Sequence, residues 1–142
     1  MEDYEDHKAE IEKISKHNEQ LLAEFQQSLI DKQLSRQTIR KHMFNVDLYI
    51  NDFLLYSDDE LLEAKQGPLD ITEFFGYWFI REAPSSSVTQ MNESIVSLKK
   101  FYTFLYKRGE IDKRTLDDLK ETIKEEKPNW MNSMRHYNYP FM

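Results

Sequence analysis

The sequence predicts an all-α protein, a compact bundle of four to five helices. Only three glycines and four prolines punctuate 142 residues. Between them the apolar residues recur three or four apart, the period of one helix face. Before several of these runs a Ser or Asp is followed three residues later by Glu or Gln, the pattern of a capping box.

The first helix is expected from about Lys8 to Lys32, with Ile11, Ile14, Leu21, Leu22, Phe25 and Leu29 in its stripe. Asn18 interrupts that stripe, so the first turns are expected to fray. Ser35 is placed to cap a second helix from Arg36 to Tyr56, whose stripe is Ile39, Met43, Val46, Ile50, Phe53 and Leu54. Ser57 with Glu60 predicts a short helix that stops at Gly67-Pro68. Asp70 with Glu73 opens the next, turning Ile71, Phe74, Phe75, Trp78 and Phe79 inward. Ser87 with Gln90 opens a long helix to about Arg108, where Lys107, Arg108 and the following Gly109 favour an end. A last helix, about Asp112 to Lys127, carries Leu116, Leu119 and Ile123 before Pro128 stops it. By domain, 1–20 reads as an acidic helical extension, 21–111 as the bundle, and 112–142 as a C-terminal helix with an aromatic tail.

Composition excludes several kinds of chemistry. With 39% hydrophobic and 13% aromatic residues the chain has the material for a core. The lack of cysteine removes disulfides, thiolate metal sites and cysteine nucleophiles together, and fits a reducing cytoplasm. His7, His17, His42 and His136 are scattered and form no metal-binding spacing. Glycines at 67, 76 and 109 build no phosphate-cradling loop. Paired acids such as Asp58 and Asp59 stand at a helix start, where they complement the dipole. An enzyme is not expected, and neither a cofactor nor a metal is implied. The apolar run from Phe74 to Ile80 falls far short of the ~20 residues of a membrane span. The acidic start, Met1 to Glu12, lacks the pattern of a secretory signal, so a cytoplasmic address is expected and no membrane partner.

The net charge is −7, from 19 basic and 26 acidic residues. It is unevenly spread: −5 over 1–34, +1 over 35–57, −5 over 58–84, +2 over 85–111 and 0 beyond. Arg36, Gln37, Arg40 and Lys41 cluster in the first two turns of the second helix. On the long helix Gln90, Glu93, Ser97 and Lys100 fall three or four apart opposite the core stripe, with Thr89 and Lys99 beside them. These rows are candidates for two faces of a DNA-binding groove, Arg and Lys meeting phosphates and Gln and Thr reaching base edges. The plainer alternative is that they are solvated helix faces.

The segment Leu22 to Ile111 resembles the core-binding, SAM-like N-terminal domain of tyrosine recombinases, the phage-integrase family. The resemblance lies in Leu34-Ser35-Arg36-Gln37-Thr38-Ile39 after Phe25, in Ile50-Asn51-Asp52-Phe53-Leu54, and in Ile71-Thr72-Glu73-Phe74-Phe75. It continues in Ser87-Val88-Thr89, Leu98-Lys99-Lys100-Phe101-Tyr102-Thr103-Phe104-Leu105 and Gly109-Glu110-Ile111. It implies a bundle of about four helices forming half of a clamp around double-stranded DNA, with the second and fourth helices against the grooves. By position it puts Thr38, Arg40 and Lys41, and Thr89, Gln90, Ser97 and Lys100, at the DNA side. For Thr38 and Thr89 a helix-start role is an equal reading. The residues after Ile111 cannot supply the family's catalytic domain, so strand transfer by this chain alone is not expected. Glu93 in the groove-facing row and His42 where the family has an aromatic depart from the pattern and point to weak binding. After Pro128 the tail crowds Trp130, Met131, Met134, Tyr137, Tyr139, Phe141 and Met142 into a few residues. It is expected to pack on its own bundle or to dock on a second copy or a recombinase.

Overall fold

A computed structural model describes residues 2–56, 60–84 and 86–138. All regular structure among them is helical, in five segments and without a strand. No helix among the described residues is long and apolar enough to cross a membrane. The chain packs as two compact units, Met1–Ala64 and Lys65–Met142.

In the first unit α1 (Glu2–Asp31) packs on α2, which begins with an α-helix at Arg36–Asp47 and continues through a π-helical stretch, Leu48–Phe53, to a last turn at Leu54–Tyr56. Ile14, Asn18, Leu21, Phe25 and Leu29 are buried at helical spacing along α1. The expected fraying is corrected: α1 is continuous through Asn18, whose side chain is 0% exposed. Its Nδ2 donates to the Ile50 carbonyl at 3.3 Å and to Asn51 Oδ1 at 2.8 Å. Asn51 in turn donates to Asp47 Oδ1 at 2.5 Å. The "interruption" is thus a polar bolt between the two helices, set where α2 widens. In that stretch Leu48, Tyr49 and Ile50, and again Phe53, Leu54 and Leu55, are all buried. The i→i+5 pairing, seen where the Leu54 N–H meets the Tyr49 carbonyl, matches this five-residue recurrence.

The turn between α1 and α2 closes as a Schellman motif. The Leu34 N–H reaches the Leu29 carbonyl and the Gln33 N–H the Ile30 carbonyl, leaving Gln33 left-handed at φ 62°. Ser35 then caps α2, its Oγ accepting from the Thr38 N–H at 3.2 Å.

The second unit is built on α3, α4 and α5. The expected helix start at Ser57 lies outside the described residues, and no helix that stops at Gly67-Pro68 forms. Instead α3 opens as a 3-10 helix, Ala64–Asp70, that runs through that pair. Ala64 and Gly67 are buried three apart, the period of a 3-10 turn. The Asp70 side chain makes no cap bond, because the chain is already helical there. From there α3 continues as Ile71–Glu73, a second π stretch at Phe74–Trp78, and Phe79–Glu82. Ile71, Phe74, Phe75 and Phe79 are buried as expected, while Trp78 is half-buried.

The long helix α4 (Val88–Arg108) is bounded as its sequence predicts. Ser87 Oγ accepts from the Gln90 N–H at 3.1 Å, and Gly109 ends it at φ 87° with a Schellman pair to Leu105 and Tyr106. Helix α5 (Lys113–Asn138) corrects the expected stop at Pro128, which lies inside it. Pro128 removes the N–H that would reach the Lys124 carbonyl, but both residues are exposed, so water can take that carbonyl. An interior proline costs about 3 kcal/mol. Burial of Trp130, Met131 and Met134, about 1.5–3 kcal/mol each for large apolar side chains, outweighs it. At the other end Asp112 accepts from the Thr115 N–H at 2.8 Å. The Thr115 hydroxyl and then its N–H hold the Asp112 carboxyl below its usual range.

Two outcomes test this description. Gln33→Gly is expected to stabilise the protein by about 0.5–1 kcal/mol, because glycine adopts the left-handed turn without the Cβ clash; a thermal melt that does not rise would contradict the assigned turn. Asn18→Ala should cost about 1–3 kcal/mol by stranding a buried carbonyl. In urea titrations Asn51→Ala should cost less, since the bond to Ile50 survives.

Candidate nucleic-acid interface

The cap at Ser35 fixes where the cationic turns of α2 begin. Arg36, Gln37, Arg40 and Lys41 are all exposed, on the first two turns. No acidic residue lies in the first turn of this helix, whose free N–H groups also favour anions. Thr38 is half-buried and held in the cap, its Oγ1 accepting from Ser35 Oγ at 2.9 Å, which favours its helix-start reading. Four residues beyond Arg40, Phe44 is 55% exposed and extends the Arg36–Arg40 ridge by another turn. The sequence reading passed over Phe44. Its signal was an aromatic standing off the Ile39–Met43–Val46 stripe, in line with two arginines. His42 lies in the core, 7% exposed, and takes no part in the exposed face of α2.

The row predicted on α4 is only partly at the surface. Thr89 is exposed, and Gln90, Glu93, Lys99 and Lys100 are half-buried. Ser97 is a correction: it is 0% exposed and its hydroxyl donates to the Glu93 carbonyl at 3.0 Å. Met91, Ser94, Ile95, Leu98, Phe101, Tyr102 and Leu105 form one buried stripe about 120° wide at about 100° per residue, and Ser97 adjoins its Phe101 edge and is covered with it, while flanking residues such as Lys99, Lys100 and Thr103 are half-buried. What remains outward is a narrow strip through Thr89, Val96 and Lys107, one residue away from the predicted row. The structure therefore groups Arg36, Gln37, Arg40 and Lys41 within the first unit. Thr89, Gln90 and Lys100 belong to the second.

Of the tail's described residues, three pack into their own unit. The Trp130 ring lies 5.2 Å from Phe75 and beside Gly76, and Met131 and Met134 are buried with it. Tyr137 stays half exposed, with the Arg81 guanidinium 4.2 Å over the Tyr77 ring and 5.8 Å from that of Tyr137. Tyr139, Phe141 and Met142 lie outside the described residues. Tyr102 is wholly buried, and burial, followed by nearby Asp70, pushes its hydroxyl well above the usual range. Among the described residues no group of three His, Asp or Glu side chains is placed to hold a metal ion.

No family model, curated protein or solved structure matches the chain.

The packing of Trp130 leads to a direct check. Trp130→Ala should destabilise the protein by about 3–5 kcal/mol, the usual cost of emptying a buried indole site. A shift in the thermal midpoint no larger than that of an exposed-residue variant such as Tyr137→Ala would refute the packing.

Proposed function

We propose that the chain is a non-catalytic module for double-stranded DNA, of the kind found as the core-binding domain of tyrosine recombinases. The observation that carries this reading is the exposed set Arg36, Gln37, Arg40 and Lys41 at the capped start of α2, with no carboxylate in that turn. Guanidinium and ammonium groups one turn apart suit the phosphates flanking a groove, and Gln37 can reach a base edge from the same turn. Within the second unit, Thr89 and Lys100 on α4 are separate candidates for phosphate contact, and the buried Ser97 is not. The half-buried Glu93 and the net charge of −7 oppose loose attachment, so affinity is modest. Sequence-blind binding should lie near 10⁻⁴–10⁻⁶ M. Site-specific DNA integration or recombination is the setting that the resemblance implies, with a separate recombinase supplying the chemistry.

Fluorescence-anisotropy titrations of a random 20-base-pair duplex at two salt concentrations test the proposal. Affinity should fall as salt rises, with a slope of about 0.9 per phosphate contact. Replacing Arg36, Arg40 and Lys41 together with Ala should flatten that slope by about two to three contacts' worth. Salt-independent binding, or a triple variant indistinguishable from the parent, would reject the interface.

A further inference from the structure

Beside the cationic ridge, the end of α1 and the start of α2 enclose an open groove of about 480 Å³, inside the range of ligand-sized clefts. Ile30, Leu34, Ile39 and Met43 form its apolar lining, with Arg36, Arg40 and Gln26 as its polar groups. Ile30 is 48% exposed, although its neighbour Leu29 is fully buried in the same helix. No carboxylate lines the groove, in a chain with 26 acidic residues.

We propose that this groove docks an acidic amphipathic helix of a partner protein. Two features select that occupant. Arg36 and Arg40 stand one helical turn apart, so their charges match carboxylates placed i and i+4 on a facing helix, with roughly 5–6 Å between Cβ atoms in each pair. The aliphatic lining that shares the groove with them needs cover that a sugar-phosphate backbone does not offer, whereas Leu, Ile or Phe anchors on the apolar face of a helix provide it. Arg is also among the residue types enriched in binding hot spots. The inference goes beyond DNA binding and does not rest on it. It shares Arg36 and Arg40 with that reading, but not Lys41, which lies outside the lining, nor the aliphatic residues, which DNA would not need.

The experiment is a selection of phage-displayed random 16-residue peptides on the full chain, followed by anisotropy titration of the enriched peptides carrying fluorescein. Enriched peptides should be net acidic with aliphatic or aromatic residues three or four apart. Ile30→Ser and Met43→Ser should each weaken them at least fivefold, and Arg36→Glu with Arg40→Glu at least tenfold, while Lys41→Ala should leave them within twofold. Ile30 is half exposed, so Ile30→Ser keeps the fold, which circular dichroism verifies. The same variants titrated with the random duplex separate the two readings: Lys41→Ala should weaken DNA alone, and Ile30→Ser the peptide alone. No enrichment, enrichment of neutral or basic peptides, or binding indifferent to Ile30→Ser and Met43→Ser would overturn the proposal whatever the DNA result.

Discussion

The first unit depends on one buried amide. Asn18 sits fully buried in an otherwise apolar stripe, and its Nδ2 donates to two adjacent residues of α2, the Ile50 carbonyl and the Asn51 side chain. Sliding α1 by one turn would keep most of the apolar contacts but would strand that amide, at a cost of about 1–3 kcal/mol. A stripe of leucines alone would have no such preference, because apolar attraction is non-directional. The remaining Asn18 oxygen has no hydrogen-bond partner among the described residues, so the bolt is imperfect. Its value lies in choosing a register more than in adding stability. By setting where α1 ends against α2, it also fixes the groove built from Ile30, Leu34, Ile39 and Met43.

The helices with strong local punctuation were legible in the sequence. Ser35, Ser87 and Gly109 act through atoms within a few residues of themselves, so their effect needs no knowledge of the fold. Asn18 and Pro128 misled for the opposite reason: what each does depends on a partner far along the chain. Asn18 looked like a defect until Ile50 supplied an acceptor, and Pro128 looked like a stop until Phe75 supplied a surface for Trp130. The two π stretches were invisible because they reflect how many consecutive residues the core can take, as at Leu48–Ile50, and not any residue preference.

The candidate interface was legible where the exposed face of a helix is broad, and illegible where it is narrow. On α2 the exposed cations follow directly from the stripe at Ile39 and Val46. On α4 the same reasoning failed at Ser97, because half-buried residues flank the buried stripe and leave an exposed strip so narrow that an error of one residue, about 100° of rotation, moves a side chain from solvent to core. Small polar residues such as Ser94 and Ser97 fit that tight packing and look like surface residues in a sequence.

The charges of α2 run against its own dipole. Arg36, Arg40 and Lys41 stand at its positive end, while Asp47 and Asp52 lie toward its negative end. Burial, followed by nearby Asp47, lifts the Asp52 carboxyl above its usual range. Each such placement typically forfeits about 0.3–1 kcal/mol relative to the reverse arrangement. The helix tolerates this because its stability comes from burying Val46, Tyr49, Ile50, Phe53 and Leu54, not from its surface. A sequence optimised for stability alone would exchange those charges, as exposed side chains can do so without touching the core. Their placement on the exposed turns, against the dipole, fits the proposal that the cations act outside the fold, on an anionic surface. That argument holds equally for a phosphate backbone and for an acidic helix; the apolar groove beside Arg36 and Arg40 is what distinguishes the second from the first.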